Sequence, residues 1–224
     1  IMKRFDQELI ELQHRLVEMG ELAESMIATV VRGLEDISLD VSDVILKSED
    51  VMDNLQVTID SEVVRILTVY SPVATDLRYV LTVSHVTSNL ERIGDQAVNI
   101  VELLQLMMAR STMKPEARII QMGHAVREMV NGAIGAYINK DSKEADKYRN
   151  RDEYVDSLND QIMREVLSEE IALKALKGEP DLAGPLAQIL IARSLERVGD
   201  QSCNICDEVF SLVGGDHIKP FQEH

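Results

Sequence analysis

The chain has 224 residues, with 39 acidic against 23 basic side chains, a formal net charge of −16 and a pI near 4.7. That balance argues against nucleic-acid binding by counterion release, which needs clustered Lys and Arg, while 45 % hydrophobic and 28 % charged residues are globular proportions. No run approaches the ~18 apolar residues of a membrane span, Ile1–Asp6 has no apolar signal core, and Cys203 and Cys206 cannot staple a fold of this size, so a soluble cytoplasmic protein is expected.

Few glycines and prolines, with recurrent Leu, Ala, Met, Glu and Gln, favour helix throughout. Leu9, Leu12, Leu16, Met19, Ala23, Met26 and Val30 step by three or four residues, the period of an amphipathic first helix. Asp40-Val41-Ser42 separates it from a second helix running to about Tyr70. Ser71-Pro72 stops that one, because the residue before proline is pushed out of the α region. Asp76 is the expected N-cap of a third helix reaching about Ala109. Residues 110–115 read as a linker. A fourth helix runs to about Asn139, a fifth from Ser142 to about Leu176, and Gly178-Glu179-Pro180 breaks it. Asp181 is expected to cap a sixth helix, with Pro185 in its first turn, ending before Gly214-Gly215.

The halves repeat. Leu90–Ile100 (LERIGDQAVNI) lies 105 residues before Leu195–Ile205 (LERVGDQSCNI), with eight of eleven positions identical. Glu49, Asp53 and Leu55 match Asp152, Asp156 and Leu158 at an offset of 103. Duplication of a three-helix unit follows. The expected fold is all-α: two tandem pseudo-symmetric three-helix bundles, 1–110 and 116–224.

Acids recur at the same registers in both halves. The third helix carries Glu91, Asp95, Asn99 and Glu102, and the sixth carries Glu196, Asp200, Asn204 and Asp207, each set within about 80° of arc. The second and fifth helices add Glu49 with Asp53 and Asp152 with Asp156. Acids one turn apart repel by a few tenths of a kcal/mol when exposed, so four such pairs call for compensation. A hard cation supplies it: oxygen-only ligands suit Mg²⁺, Mn²⁺, Ca²⁺ or ferric iron. The plainer alternative is a solvated face salt-bridged to Arg92 and Arg197. Gly94 and Gly199, costly inside helices, point to close helix approach beside these acids.

Other constellations are weaker. Cys203 and Cys206 replace Val98 and Val101 of the first repeat and read as small core residues. His14 closes a lone ExxH with no second copy to complete a di-iron site. His85 corresponds to Leu190, and the chain has no P-loop and no recognisable nucleophilic triad.

The doubled LER(I/V)GDQxxNI, the turn Ser71-Pro72-Val73-Ala74-Thr75-Asp76-Leu77-Arg78 and the opening Phe5-Asp6-Gln7-Glu8-Leu9 resemble the PhoU family of phosphate-signalling regulators. The resemblance implies carboxylate metal sites for iron, zinc, magnesium or manganese. The corresponding positions are Glu49, Asp53, Glu91 and Asp95 in the first bundle, and Asp152, Asp156, Glu196 and Asp200 in the second. Asn99, Glu102, Asn204 and Asp207 are secondary candidates. It further implies a non-enzymatic cytoplasmic adaptor, expected as a homodimer, between the ATPase subunit of a phosphate ABC transporter and a sensor histidine kinase. Such an adaptor restrains the starvation response when phosphate is plentiful and meets the membrane only through its partners. The rival readings are a metal-dependent hydrolase or oxidase using the acid clusters, and a metal-free helical scaffold. The second repeat departs from the first at Asp152, which stands where Glu49 stands, and at Ala183, which replaces Arg78.

Overall fold

The computed structural model describes residues 2–110, 113–166, 176 and 182–214, and among these every regular element is an α-helix. The helices are α1 (Met2–Glu35), α2 (Ser42–Tyr70), α3 (Ala74–Arg110), α4 (Ala117–Asn139), α5 (Ser142–Arg149), α6 (Asp152–Val166) and α7 (Ala183–Val213). None of them is long and apolar enough to cross a membrane.

Each boundary has a local cause. Asp40 Oδ1 accepts hydrogen bonds from Ser42 N at 3.0 Å and Ser42 Oγ at 2.6 Å, fixing the turn into α2. At the end of α2 Ser71 is left-handed (φ 46°) and returns its N–H to Leu67 O. The third helix begins at Ala74, two residues before the expected cap, so Asp76 lies in its first turn, where the helix dipole still favours an acid. Asp141 caps α5 by accepting from Lys143 N and Glu144 N. Pro185 sits in the first turn of α7, as expected; Asp181 and the Gly178–Pro180 breaker lie outside the described residues.

One element differs from expectation. The helix expected from Ser142 is interrupted at Asn150–Arg151, giving α5 and α6. The chain tightens there: Arg151 N donates to Tyr148 O and Tyr154 N to Arg151 O, three-residue steps in place of four. Asp152 thereby falls in the first turn of a new helix.

Leu12, Leu16, Met19, Ala23, Met26 and Val30 are buried against α2 and α3, while Leu9 at the outer end is partly buried. Equivalent packing joins α4, α5, α6 and α7. The two bundles meet along α1 with α4 and, more extensively, along α3 with α7. The α3–α7 seam is antiparallel. His85 Nδ1 lies 3.0 Å from Glu208 Oε1, and Asn204 donates to Asn89 Oδ1 at 3.2 Å. Further along, Asn99, Glu102 and Leu103 share a groove with Leu190, Arg193 and Ser194. The repeat offset carries Asn89 onto Ser194 and Asn204 onto Asn99, so the two ends of the seam are images of each other.

Candidate functional site: two carboxylate quartets

α2 packs on α3 in the first bundle and α6 on α7 in the second. Buried Met52, Leu55, Leu90, Ile93 and Ala97 hold the first contact; Val155, Leu158, Leu195 and Val198 hold the second. The acids flank these contacts. Asp53, Asp156 and Asp200 are exposed, whereas Glu49, Glu91, Asp95, Asp152 and Glu196 are half-buried.

Their electrostatics show which groups come together. Burial, then the charges of Asp53 and Asp95, pushes the Glu49 carboxyl above the usual range. Burial, then Asp95 and Asp53, raises Glu91, and burial, then Asp53, raises Asp95 against the opposing pull of Arg92. In the second bundle burial pushes Asp152 up to about 6, with Asp156, Asp200 and Glu196 adding to it. Burial, then Asp200 and Asp156, raises Glu196, and burial, then Asp156, raises Asp200 against the opposing pull of Arg197. Asp53 and Asp156 therefore occupy the same place in their quartets, each acting on the other three acids.

The alternative of a salt-bridged face is not what the structure shows. Among the described residues none of the eight acids has an Arg, Lys or His partner within ion-pair range, although eleven ion pairs form elsewhere. Nor, among the described residues, do three Asp, Glu, His or Cys groups already enclose a single point. The quartets are open arrays on helix faces, and turning these side chains inward is what a cation would require.

Close helix approach accounts for Gly94 and Gly199. A Cβ on Gly94 would touch Met52 Cγ at 3.4 Å, and one on Gly199 would lie 3.0 Å from Asp152 Oδ1 and 3.6 Å from Val155 Cγ1. Asp152 Oδ1 is buried without a hydrogen-bond partner. So are the amide oxygens of Gln96 and Gln201, which occupy equivalent positions next to Asp95 and Asp200. Oxygen donors only, raised carboxyls and an orphaned buried oxygen make a set that fits a hard divalent or ferric cation.

The secondary candidates are placed differently. Asp207 pairs with Arg149 at 3.1 Å, and Asn204 is turned across the seam to Asn89. Asn99 and Glu102 line the seam groove, although the Glu102 charge still reaches Glu49. Cys203 packs against the core as a half-buried side chain, unlike fully buried Cys206, and its thiol donates to Arg149 O at 3.7 Å. Burial and the charge of Asp152 push that thiol up to about 12. Positions 196, 200, 203 and 207 fall within about 60° on a helix, so Cys203 lies in the middle of the acid stripe.

A family model described as the PhoU domain matches twice, over residues 16–104 and 119–209. The chain is 30 % identical over 218 residues to a Clostridium acetobutylicum protein named phosphate-specific transport system accessory protein PhoU homolog, covering 96 % of this chain and 97 % of that one. The crystal structure of PhoU from Pseudomonas aeruginosa superposes with a TM-score of 0.86 at 29 % identity, covering 94 % of this chain and 99 % of the other. A phosphate transport system regulatory protein PhoU from Streptococcus pneumoniae shares the fold, with a TM-score of 0.83 at 22 % identity over 96 % of this chain and 100 % of that one.

Proposed function

The chain belongs to the PhoU family, and on that premise we propose that it is a cation-dependent adaptor that regulates phosphate uptake and phosphate-starvation signalling. Its role is accessory to phosphate transport, and a regulatory protein in place of an enzyme accords with the family. In this reading it works in the cytoplasm as a homodimer. It bridges the ATPase subunit of a phosphate ABC transporter and a sensor histidine kinase, and holds the starvation response off when phosphate is plentiful.

One observation carries the metal part of the reading. Four acids from two packed helices act on one another's charge and, among the described residues, have no cationic partner within ion-pair range, and the same arrangement recurs at repeat-equivalent positions in the other bundle. Glu49, Asp53, Glu91 and Asp95 would hold one cation, and Asp152, Asp156, Glu196 and Asp200 the other. A bound Mg²⁺, Mn²⁺, Fe or Zn ion supplies charge neutralisation at these faces. The carboxylates then present a smaller negative field to an approaching partner, and the net charge of −16 makes that field large.

The experiment is capture of the ATPase subunit and the kinase's cytoplasmic region by the purified protein, with and without Mn²⁺. It is run beside Glu91→Ala/Asp95→Ala and Glu196→Ala/Asp200→Ala. Capture that needs Mn²⁺ and is lost in these variants supports the proposal. Capture that persists unchanged in them removes the metal from the mechanism, and failure to capture either partner removes the adaptor role.

A further inference from the structure

We propose that one end of the α3–α7 seam is a docking groove for an acidic amphipathic helix of a partner protein. Apolar side chains of that helix seat on Leu103, Leu106 and Leu190, and its carboxylates pair with Arg193 and Arg197. This surface lies outside the quartets, and its occupancy requires neither a cation in them nor the two partners named above.

The seam has two repeat-related ends, and they are finished differently. At one end His85 Nδ1 lies 3.0 Å from Glu208 Oε1 and Asn204 donates to Asn89 Oδ1, so polar groups span the two helices. The repeat offset carries His85 onto Leu190 and Glu208 onto Leu103. Two leucines thus replace a pair suited to water. Among the described residues, the side-chain hydrogen bonds and ion pairs that cross the seam all lie at the His85 end. At the leucine end a groove of about 450 Å³ is left open. Leu106 and Leu190 keep 49 % and 46 % of their surface exposed there, against 4 % for Leu104, which packs in the core. Single exposed leucines are ordinary, but apolar surface gathered in a concavity and rimmed by charge is what a partner covers.

The rim states that partner's chemistry. Arg193 and Arg197 stand one helical turn apart on α7, with Cβ atoms ~5–6 Å apart at that spacing. Both are exposed, and among the described residues neither is within ion-pair range of an acid. The first repeat has Ser88 where Arg193 stands, so the paired charge is particular to this end. Glu102 is the one acid lining the groove, against two arginines. On a chain of net charge −16, paired guanidinium groups beside an apolar floor give an acidic segment its register. A helix suits the shape, because the groove runs between two antiparallel helices. Laid along it, a third helix presents apolar side chains at i, i+3 or i+4 to the leucines and acids on its flank to the arginines. A free oxyanion would engage the arginines alone and leave the leucines bare.

The test is selection of random display-library peptides of about 20 residues, long enough to fold as a helix, on the full-length protein. Enriched peptides are then titrated by fluorescence anisotropy against the parent and variants. The expected result is enrichment of Asp and Glu together with Leu, Ile or Phe at helical spacing. Affinity should fall roughly ten-fold or more in Arg193→Gln/Arg197→Gln and in Leu103→Glu/Leu190→His. The second variant installs the pair that the other end of the seam already accommodates, and circular dichroism checks that both variants fold. Arg92→Gln, at the counterpart of Arg197, should leave affinity unchanged. Failure to enrich any peptide, enrichment of basic or uncharged ones, or equal binding by parent and both groove variants overturns the proposal. Concentration-dependent self-association of the parent that Leu103→Glu/Leu190→His abolishes would make a second copy the occupant, which also overturns it.

Discussion

Gly199 makes the room that the Asp152 carboxylate occupies: a Cβ on Gly199 would lie 3.0 Å from Asp152 Oδ1. The nearest obstacle is thus the end of a flexible side chain, whereas the space at Gly94 is bounded by Met52 at an ordinary contact distance of 3.4 Å. The two positions should respond differently to the same substitution. Alanine gains up to ~1 kcal/mol of helix propensity over glycine. Gly94→Ala should raise stability by up to that amount and leave cation binding intact. Gly199→Ala should leave stability within about 1 kcal/mol of the parent, yet weaken the second cation site by displacing Asp152. Urea unfolding and calorimetric titration of both variants separate the two effects.

Six of the quartet acids hold their protons more tightly when folded, and the sign of the pH dependence follows. Their contribution to stability is complete below the unfolded carboxylate range and is lost as pH rises through the folded values. For Asp152 that window runs from 3.8 to about 6. Without divalent ions, Tm should fall as pH rises through this window and level off above it. Mn²⁺ at neutral pH should restore it, because a ligand of the native state stabilises that state. A Tm insensitive to both pH and Mn²⁺ would count against the quartets as cation sites.

Asp53 and Asp156 each act on the other three acids of their quartet, so neutralising them should relieve repulsion. Asp53→Asn and Asp156→Asn should each stabilise the metal-free protein by a few tenths of a kcal/mol. Each should also cost the corresponding cation site affinity. Thermal melts in chelator and in Mn²⁺ should therefore move in opposite directions, and a shift of the same sign in both would argue against the arrangement.

Glu8 behaves in the reverse sense. Its close ion pair with Arg65 at 2.7 Å holds the carboxyl below the usual range, with a hydrogen bond from Tyr70 at 3.0 Å and the charge of Arg4 helping. Its contribution is present above the unfolded value and lost as pH falls through the folded one. Glu8→Gln should lower Tm at neutral pH and flatten the acid limb of the stability curve. A Tm profile that keeps the parent's acid limb would exclude the pair as its source.

The fold was legible because apolar spacing and duplication agree. Leu12 to Val30 could be nothing but a helix face, and LERIGDQ returning after 105 residues fixes the second bundle from the first. The break between α5 and α6 was not legible. Asn150 keeps nearly helical dihedrals (φ −69°, ψ −12°), so the turn is a local tightening with no glycine or proline to announce it. The quartets were legible from i, i+4 spacing kept in both halves. Asn99 and Asn204, offset by eight residues, are rotated by about 80° from the first acid of their helices and lie toward the α3–α7 seam. Cys203 packs partly buried against the core as its counterpart Val98 does, although its register lies close to that of Asp200.

The seam between α3 and α7 joins two units that a single chain holds together. A pair of separate bundles would have to associate from dilute solution and meet the full loss of translational and rotational freedom. The short connection between Arg110 and Ala117 replaces that encounter with a local one, at an effective concentration of order millimolar for a short tether. Contacts as modest as His85 with Glu208 and Asn89 with Asn204 are then sufficient at the rim, and these positions need not be optimised as a free dimer interface would be. Tethering also frees the two halves to diverge. The halves accordingly differ at matched positions, Glu49 against Asp152 and Val98 against Cys203, while remaining joined along the seam.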